Sequence, residues 1–218
     1  MAMDERVFFD VARSSIFEGV MAQSQVDGIR TILRACDDHS VFDQEERAYI
    51  LATAFWETNR TFEPVREAYW LSEGWRSENL RYYPYYGRGY VQLTWESNYS
   101  KLGKLLKLPL VLKPDLALQV EVAANILVMG MKKGLFSPKA GPLSKYLGEA
   151  TDWLNARRTV NGVDKRVTIA NIAKKFNDAL AKAGSSSAPK RKKVLRTTGV
   201  LKTIFLLIVA LFKRKIKA

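Results

Sequence analysis

The sequence predicts a mainly α-helical domain, and three observations carry that expectation. Apolar residues recur at helical spacing over residues 44–58, 115–131 and 165–183. Turn-forming residues punctuate these runs: Pro64, Pro84, Pro109, Gly134, Gly141-Pro142 and Asn161-Gly162. The aromatic stretch 82–90, with Pro84 and two glycines, suits a loop or short strand better than a helix, so any sheet is small.

In chain order, residues 4–38 read as two helices joined at Gln25-Val26-Asp27-Gly28, with Asp27 capping a helix over 28–35. Asp43, followed three residues later by Glu46, resembles a capping box and opens a helix running to about Thr58. Ala48, Leu51, Ala52 and Phe55 form one apolar face of that helix. Ile50 and Ala54 are apolar on the other side, so it is expected to be buried nearly all round. Residues 98–108 form a helix that stops before Pro109, and 115–131 a strong one ending near Gly134. Short helices follow at 143–146 and 150–158, then an amphipathic helix over 165–183 closed by Gly184. The chain divides into a body at 1–184, a basic flexible linker at 185–193 opening with three serines and Pro189, and a cationic apolar tail at 194–218.

The net charge of +13 suggests a nucleic-acid partner until it is located: ten basic residues and no acid follow Gly184, leaving +3 for the body. One cysteine, Cys36, excludes an intramolecular disulfide, consistent with synthesis in a reducing cytoplasm. One histidine, His39, excludes a histidine-rich metal site, and no metal or cofactor is expected. Cys36 and His39 stand three apart, which permits a catalytic dyad, but a helix-end histidine beside Asp37 and Asp38 is the better reading. The N-terminus has early acids and no long apolar core, so it is not read as a secretory signal.

The stretch 85–95, followed by Asn98 and Tyr99, packs rings, glycines, an arginine and hydrogen-bonding side chains together. That mixture suits a carbohydrate groove, where rings stack on sugar faces and amides read hydroxyls. Upstream, residues 54–67 supply carboxylates, and together the two stretches suggest glycosidic bond cleavage. Glu57, at the end of a mostly apolar helix beside Ile50, Thr53 and Ala54, is the first candidate acid. Desolvation and the helix dipole would both favour its protonated form, as a leaving glycosidic oxygen requires. An ion pair with Arg60 is the competing reading. A second carboxylate is needed across the bond, and Glu63, Glu67, Glu73 and Glu78 are candidates. An unbroken helix would put Glu67 about 15 Å from Glu57, too far, but Pro64 lets the chain turn back. Spacing alone does not separate Glu67 from Glu63. Arg88 reads as a ligand clamp or, preferably, as a loop arginine paired with a buried acid. Gln92 and Asn98 suit sugar hydroxyls or loop bracing equally, while Tyr85, Tyr86, Tyr90 and Trp95 divide between core and ligand platform.

At these residues the chain resembles the family 19 glycoside hydrolases: plant-type chitinases and, more closely, phage and prophage endolysins. The resemblance covers about residues 15–180. It runs through residues 25–28, 48–53, Glu57-Thr58, 64–69, 82–99, 156–158 and Asn161-Gly162. It implies a lysozyme-like α-helical fold and an inverting mechanism. Matched residue by residue, Glu57 takes the general acid's place and Glu67 the general base's. Thr94 stands where the family has a serine holding the attacking water. Gln92 and Asn98 match substrate-binding positions, and Asn161 lines the cleft. Trp56 replaces the histidine that commonly precedes the acid, an indole that donates but does not accept. Tyr86 and Arg88 complete the expected substrate-binding set.

The apolar run 203–212 is too short to span a bilayer, which takes about 20 residues. A membrane-surface helix is preferred for the tail over a tilted anchor or a disordered extension. The expected partners are peptidoglycan or a chitin-type polysaccharide and, through residues 190–218, an anionic membrane or lipopolysaccharide. Nucleic acid is not expected, because only Phe205 and Phe212 offer stacking rings beside the tail charge. The body is expected to act as a monomer at the bacterial cell wall after synthesis in the cytoplasm. A peptidoglycan-cleaving endolysin leads, ahead of a chitinase and of an inactive sugar-binding or membrane-permeabilising protein.

Overall fold

The computed structural model describes residues 3–148 and 151–187, with side chains as far as Ser185; the expected linker and helical tail otherwise lie outside the described residues. Helix α1, Glu5–Ser15, is capped by Asp4, whose Oδ1 accepts from Val7 N at 3.2 Å, and buries Phe8, Phe9 and Ala12. Helix α2, Gln23–Asp38, runs straight through the expected junction at 25–28. Asp27 is therefore no cap. Gly28 is a packing site: a Cβ there would lie 2.4 Å from the carbonyl oxygen of Phe62, so only glycine admits that backbone.

Helix α3, Gln44–Glu57, starts as expected, with Asp43 Oδ1 accepting from Glu46 N at 2.9 Å. Its residues 48–55 are all buried. Strand β1, Val65–Arg66, pairs antiparallel with β2, Arg88–Gly89, in the register Val65↔Gly89 and Arg66↔Arg88. Between them lies α4, Glu73–Asn79, capped by Ser72. Helix α5, Glu96–Leu106, precedes a 3-10 turn at Pro114–Leu118.

The strong helix expected from residue 115 begins later, as α6, Val120–Lys133, because Gln119 is extended (ψ 134°) and breaks it from the 3-10 turn. Gly134, at φ 64°, ends α6 in the left-handed region. Shorter 3-10 turns occupy Leu143–Lys145 and Asn155–Thr159. The last helix, α7, Arg166–Ser187, passes the expected stop at Gly184. A glycine lowers helix propensity without forbidding the helix, and Ala183 beside it is fully buried.

Two apolar clusters result. The larger surrounds α3, where Phe17, Phe55, Phe62 and Phe176 meet with centroids 5.5–6.5 Å apart. The smaller joins α5, the Pro114–Leu118 turn and α6 through Leu93, Tyr99, Leu102, Leu110, Ala117 and Ile126. Cys36 and His39 belong to the scaffold. Burial pushes the Cys36 thiol up to about 12, and His39 caps α2 with Nε2 2.6 Å from Asn125 Oδ1.

Candidate active site

Glu57 is the last residue of α3, and the chain leaves it by a tight left-handed exit. Asn59, Arg60 and Phe62 have φ values of 49°, 73° and 56°. Thr58 holds this turn: its Oγ1 donates to Ala54 O at 2.7 Å and accepts from Phe62 N at 3.0 Å. Three further contacts clamp the loop from outside. Gln25 Nε2 donates to Arg60 O at 2.9 Å, Gly28 lies under Phe62, and Tyr90 Oη donates to Phe62 O at 2.9 Å. Tyr90 is buried and ties the aromatic segment to the loop that follows Glu57.

The partner of Glu57 is not Arg60, which pairs with Glu18 at 3.0 Å and packs over the Phe55 ring. It is Arg157, whose Nη2 lies 2.8 Å from Glu57 Oε1. Arg157 is 2 % exposed and comes from the 3-10 turn a hundred positions downstream, where its Nε donates to Asp164 O at 3.2 Å. The Arg157–Glu57 contact is an ion pair whose hydrogens are not aligned for a hydrogen bond, and Arg157 Nη1 has no hydrogen-bond partner among the described residues. Tyr49, Thr53 and Glu57 follow one another at four-residue spacing on α3, so one buried face carries all three. The apolar wall expected beside Glu57 is thus interrupted by a buried cation. Asn161 is exposed, and its backbone N donates to Arg157 O at 3.0 Å, which attaches it to this same corner. Trp56 lines a pocket of about 330 Å³ with Asn59, Arg60, Thr168 and Lys175; neither Glu57 nor Glu67 lines it.

Geometry separates the four candidates for the second carboxylate. Glu63 and Glu78 are exposed. Glu73 is committed to a network: Arg76 Nε and Tyr86 Oη donate to its Oε2 at 3.1 and 3.0 Å, and Arg66 lies 3.4 Å away. Desolvation works against it, yet the hydrogen bonds from Arg76 and Tyr86 and the charges of Arg76 and Arg66 hold the Glu73 carboxyl below its ordinary range. Glu67 follows β1, and the pairing with β2 continues onto it, Glu67 N donating to Gly87 O at 2.8 Å. Its carboxylate accepts from Gly87 N at 2.7 Å on Oε2 and from Tyr82 Oη at 2.6 Å on Oε1. The bond to Glu67 is the main cause raising the Tyr82 phenol to about 12, so Tyr82 remains a donor throughout the neutral range. A Cβ at Gly87 would lie 2.6 Å from Gln92 Oε1 and 3.1 Å from Glu67 Oε2, so a side chain there would push on both groups.

The polar residues of the aromatic segment brace one another. Gln92 Nε2 donates to Val65 O at 3.1 Å, Thr94 Oγ1 to Gln92 O at 2.7 Å, and Asn98 Nδ2 to Thr94 O at 2.9 Å. All three remain partly exposed, so lone pairs on Thr94 Oγ1 and on the amide oxygens stay open to a ligand. Tyr86 and Arg88 differ, and the expectation that they bind substrate is corrected. Tyr86 is fully buried, its hydroxyl held by Arg66 and Glu73. Arg88 is 3 % exposed, pairs with Asp115 Oδ1 at 2.7 Å, donates to Pro84 O and Tyr99 Oη, and lies 3.6 Å from the Tyr86 ring centroid. Neither has a face to offer a sugar.

No family model matches the chain. Over 32 residues it is 56% identical to an endochitinase of Arabidopsis thaliana; that stretch is 15% of this chain and spans only 11% of the relative's length. Among solved structures, chitinase C from Streptomyces griseus superposes with a TM-score of 0.58 at 20% identity, covering 82% of this chain and 76% of that one. A chitinase C mutant with a glutamate changed to glutamine gives a TM-score of 0.57 at the same identity and coverage, 20%, 82% and 76%. The chain has the helical, lysozyme-like fold of chitinase C, the architecture that its sequence resemblance implies.

Proposed function

We propose that the chain is a glycoside hydrolase that cleaves β-1,4 bonds of bacterial peptidoglycan by single displacement, as an endolysin does. Glu57 is the general acid and Glu67 the general base. The observation that carries this reading is the hold on Glu67, the one candidate carboxylate that receives both a backbone N–H and a phenol from the aromatic segment. Those two donors fix the carboxylate's orientation and leave further lone pairs to take a proton from water. Thr94 spends its hydroxyl hydrogen on Gln92 O, so its oxygen accepts from that same water. Glu57 takes up a proton from solvent, giving up its ion pair with Arg157, and passes that proton to the leaving oxygen; Arg157 then stabilises the carboxylate left behind. Gln92, Asn98 and Asn161 supply groups for sugar hydroxyls and acetamides. Residues 190–218 carry the enzyme to an anionic membrane or lipopolysaccharide, supported by their charge and apolar block.

The test is hydrolysis of peptidoglycan and of chitin by the unsubstituted chain and by Glu57→Gln and Glu67→Gln. Each substitution is expected to lower the rate at least 10³-fold with an unchanged circular dichroism spectrum, and NMR of the first-formed anomer is expected to show inversion. Full activity in Glu57→Gln, or a retained anomer, overturns the mechanism. Deletion of residues 190–218 is expected to weaken binding to anionic liposomes while leaving the rate on isolated wall unchanged. A second substrate, chitin, is favoured by the chitinases that the chain is similar to, and faster turnover of chitin than of peptidoglycan would select it.

A further inference from the structure

Three of the four arginines between β1 and β2, or on them, are ion-paired. Arg66 meets Glu73 and Asp115, Arg76 meets Glu73, and Arg88 meets Asp115. Arg81 is exposed and forms no ion pair among the described residues. Its guanidinium instead lies 5.0 Å from the centroid of Trp95, a ring that is 44 % exposed. Tyr82 packs edge-on against the same indole, with centroids 5.1 Å apart, and its hydroxyl reaches Glu67 at 2.6 Å. A cation without an ion pair therefore lies over an open ring that is itself one side chain, Tyr82, away from the proposed base.

An anion brought here would be repelled by the Glu67 carboxylate, which has no cationic partner among the described residues, unless a cation offset it. Neutral N-acetylglucosamine polymer has no need of such a cation; a sugar carrying a carboxylate does. Stacking on Trp95 restricts the Arg81 fork, so less rotamer freedom is lost when it binds a carboxylate.

We propose that Arg81, held over Trp95, is a specificity-determining residue of the reaction proposed above. It pairs with a carboxylate on the substituent of an N-acetylhexosamine lying against Trp95, and so selects acid-bearing wall glycan over neutral chitin. This rests on the hydrolase reading. The carboxylate belongs either to the lactyl ether of a peptide-free sugar or, where that group is amidated, to the stem peptide.

The experiment is calorimetric binding to the full chain carrying Glu57→Gln, with and without Arg81→Gln. The probes are chitohexaose, a peptide-free oligosaccharide with free lactyl groups, and a muropeptide of equal length. Arg81→Gln is expected to weaken an acid-bearing probe by at least tenfold, the scale of a charge-assisted bond, and chitohexaose by less than twofold. Loss on the peptide-free probe assigns the lactyl carboxylate, and loss confined to the muropeptide assigns the stem. Trp95→Ala is expected to weaken all three, and Arg81→Lys to restore part of the lost affinity. An equal effect of Arg81→Gln on acidic and neutral probes, or none, overturns the proposal while leaving the hydrolase reading intact. No binding of any probe by the Glu57→Gln chain, with no cleavage by the unsubstituted chain, overturns both.

Discussion

The two proposed catalytic carboxylates are held in opposite ways. Glu57 ends a helix sunk in the larger apolar cluster, and one buried arginine from far along the chain meets it. Glu67 stands beside a two-stranded ribbon too short to be stable alone. That ribbon is secured by polar side chains: Arg66, Arg76 and Arg88 with Glu73, Asp115, Tyr86 and Tyr99. Packing fixes the acid and a charge network fixes the base. Perturbations of the first should therefore cost stability, and perturbations of the second should cost rate.

The largest expected break in that contrast is Arg157→Met. Removing one member of a buried pair strands the other, so a loss of about 3 kcal/mol is expected by denaturant titration, at the lower end because Glu57 is partly exposed. Adding Glu57→Gln to the same chain should recover part of it, which a double-mutant cycle reads directly. Gly28→Ala comes next. Its methyl would meet the Phe62 carbonyl at 2.4 Å, and the overpacking should outweigh the gain in helix propensity, leaving a loss of about 2 kcal/mol. Tyr82→Phe should do the reverse of both: a stability change of about 1 kcal/mol or less, with kcat down about tenfold as Glu67 loses a donor.

The smallest effect concerns pH. Hydrogen bonds and neighbouring arginines hold Glu73 and Asp115 below their ordinary values of 4.5 and 3.8, against the pull of burial. The unfolded chain therefore takes up protons first. Their contribution is complete above about pH 4.5 and is lost as pH falls below it. Both side chains are about half exposed, so the loss should be about 0.5 kcal/mol or less and shrink with salt.

The same contrast sets what the sequence makes legible. Helix α3, its Asp43 cap and the position of Glu57 at its end follow from local periodicity, because an apolar repeat and a side-chain cap act over a few residues. Arg157 does not follow: its role depends on a turn that only tertiary packing brings to α3. Gly28 misleads for a related reason, since Asp-Gly carries a turn signal while the packing of Phe62 decides the matter. Tyr86 and Arg88 stand in the right segment, but rings and cations in a motif carry no mark of which side they face. Arg81 has no local signal at all; it is distinguished by the acids its neighbours have already taken. The extended Gln119 that delays α6, and the persistence of α7 through Gly184, are tertiary overrides of local preference.

The left-handed exit after Glu57 acts as a ruler. Surface connections ordinarily tolerate inserted or deleted residues. This one is gripped by Gln25 and Gly28 of α2 and by Tyr90, and folds through backbone angles that most side chains avoid. The interval between the acid and the base is thereby a fixed length. A transplant of this catalytic pair onto another scaffold would have to carry the grip along with the loop.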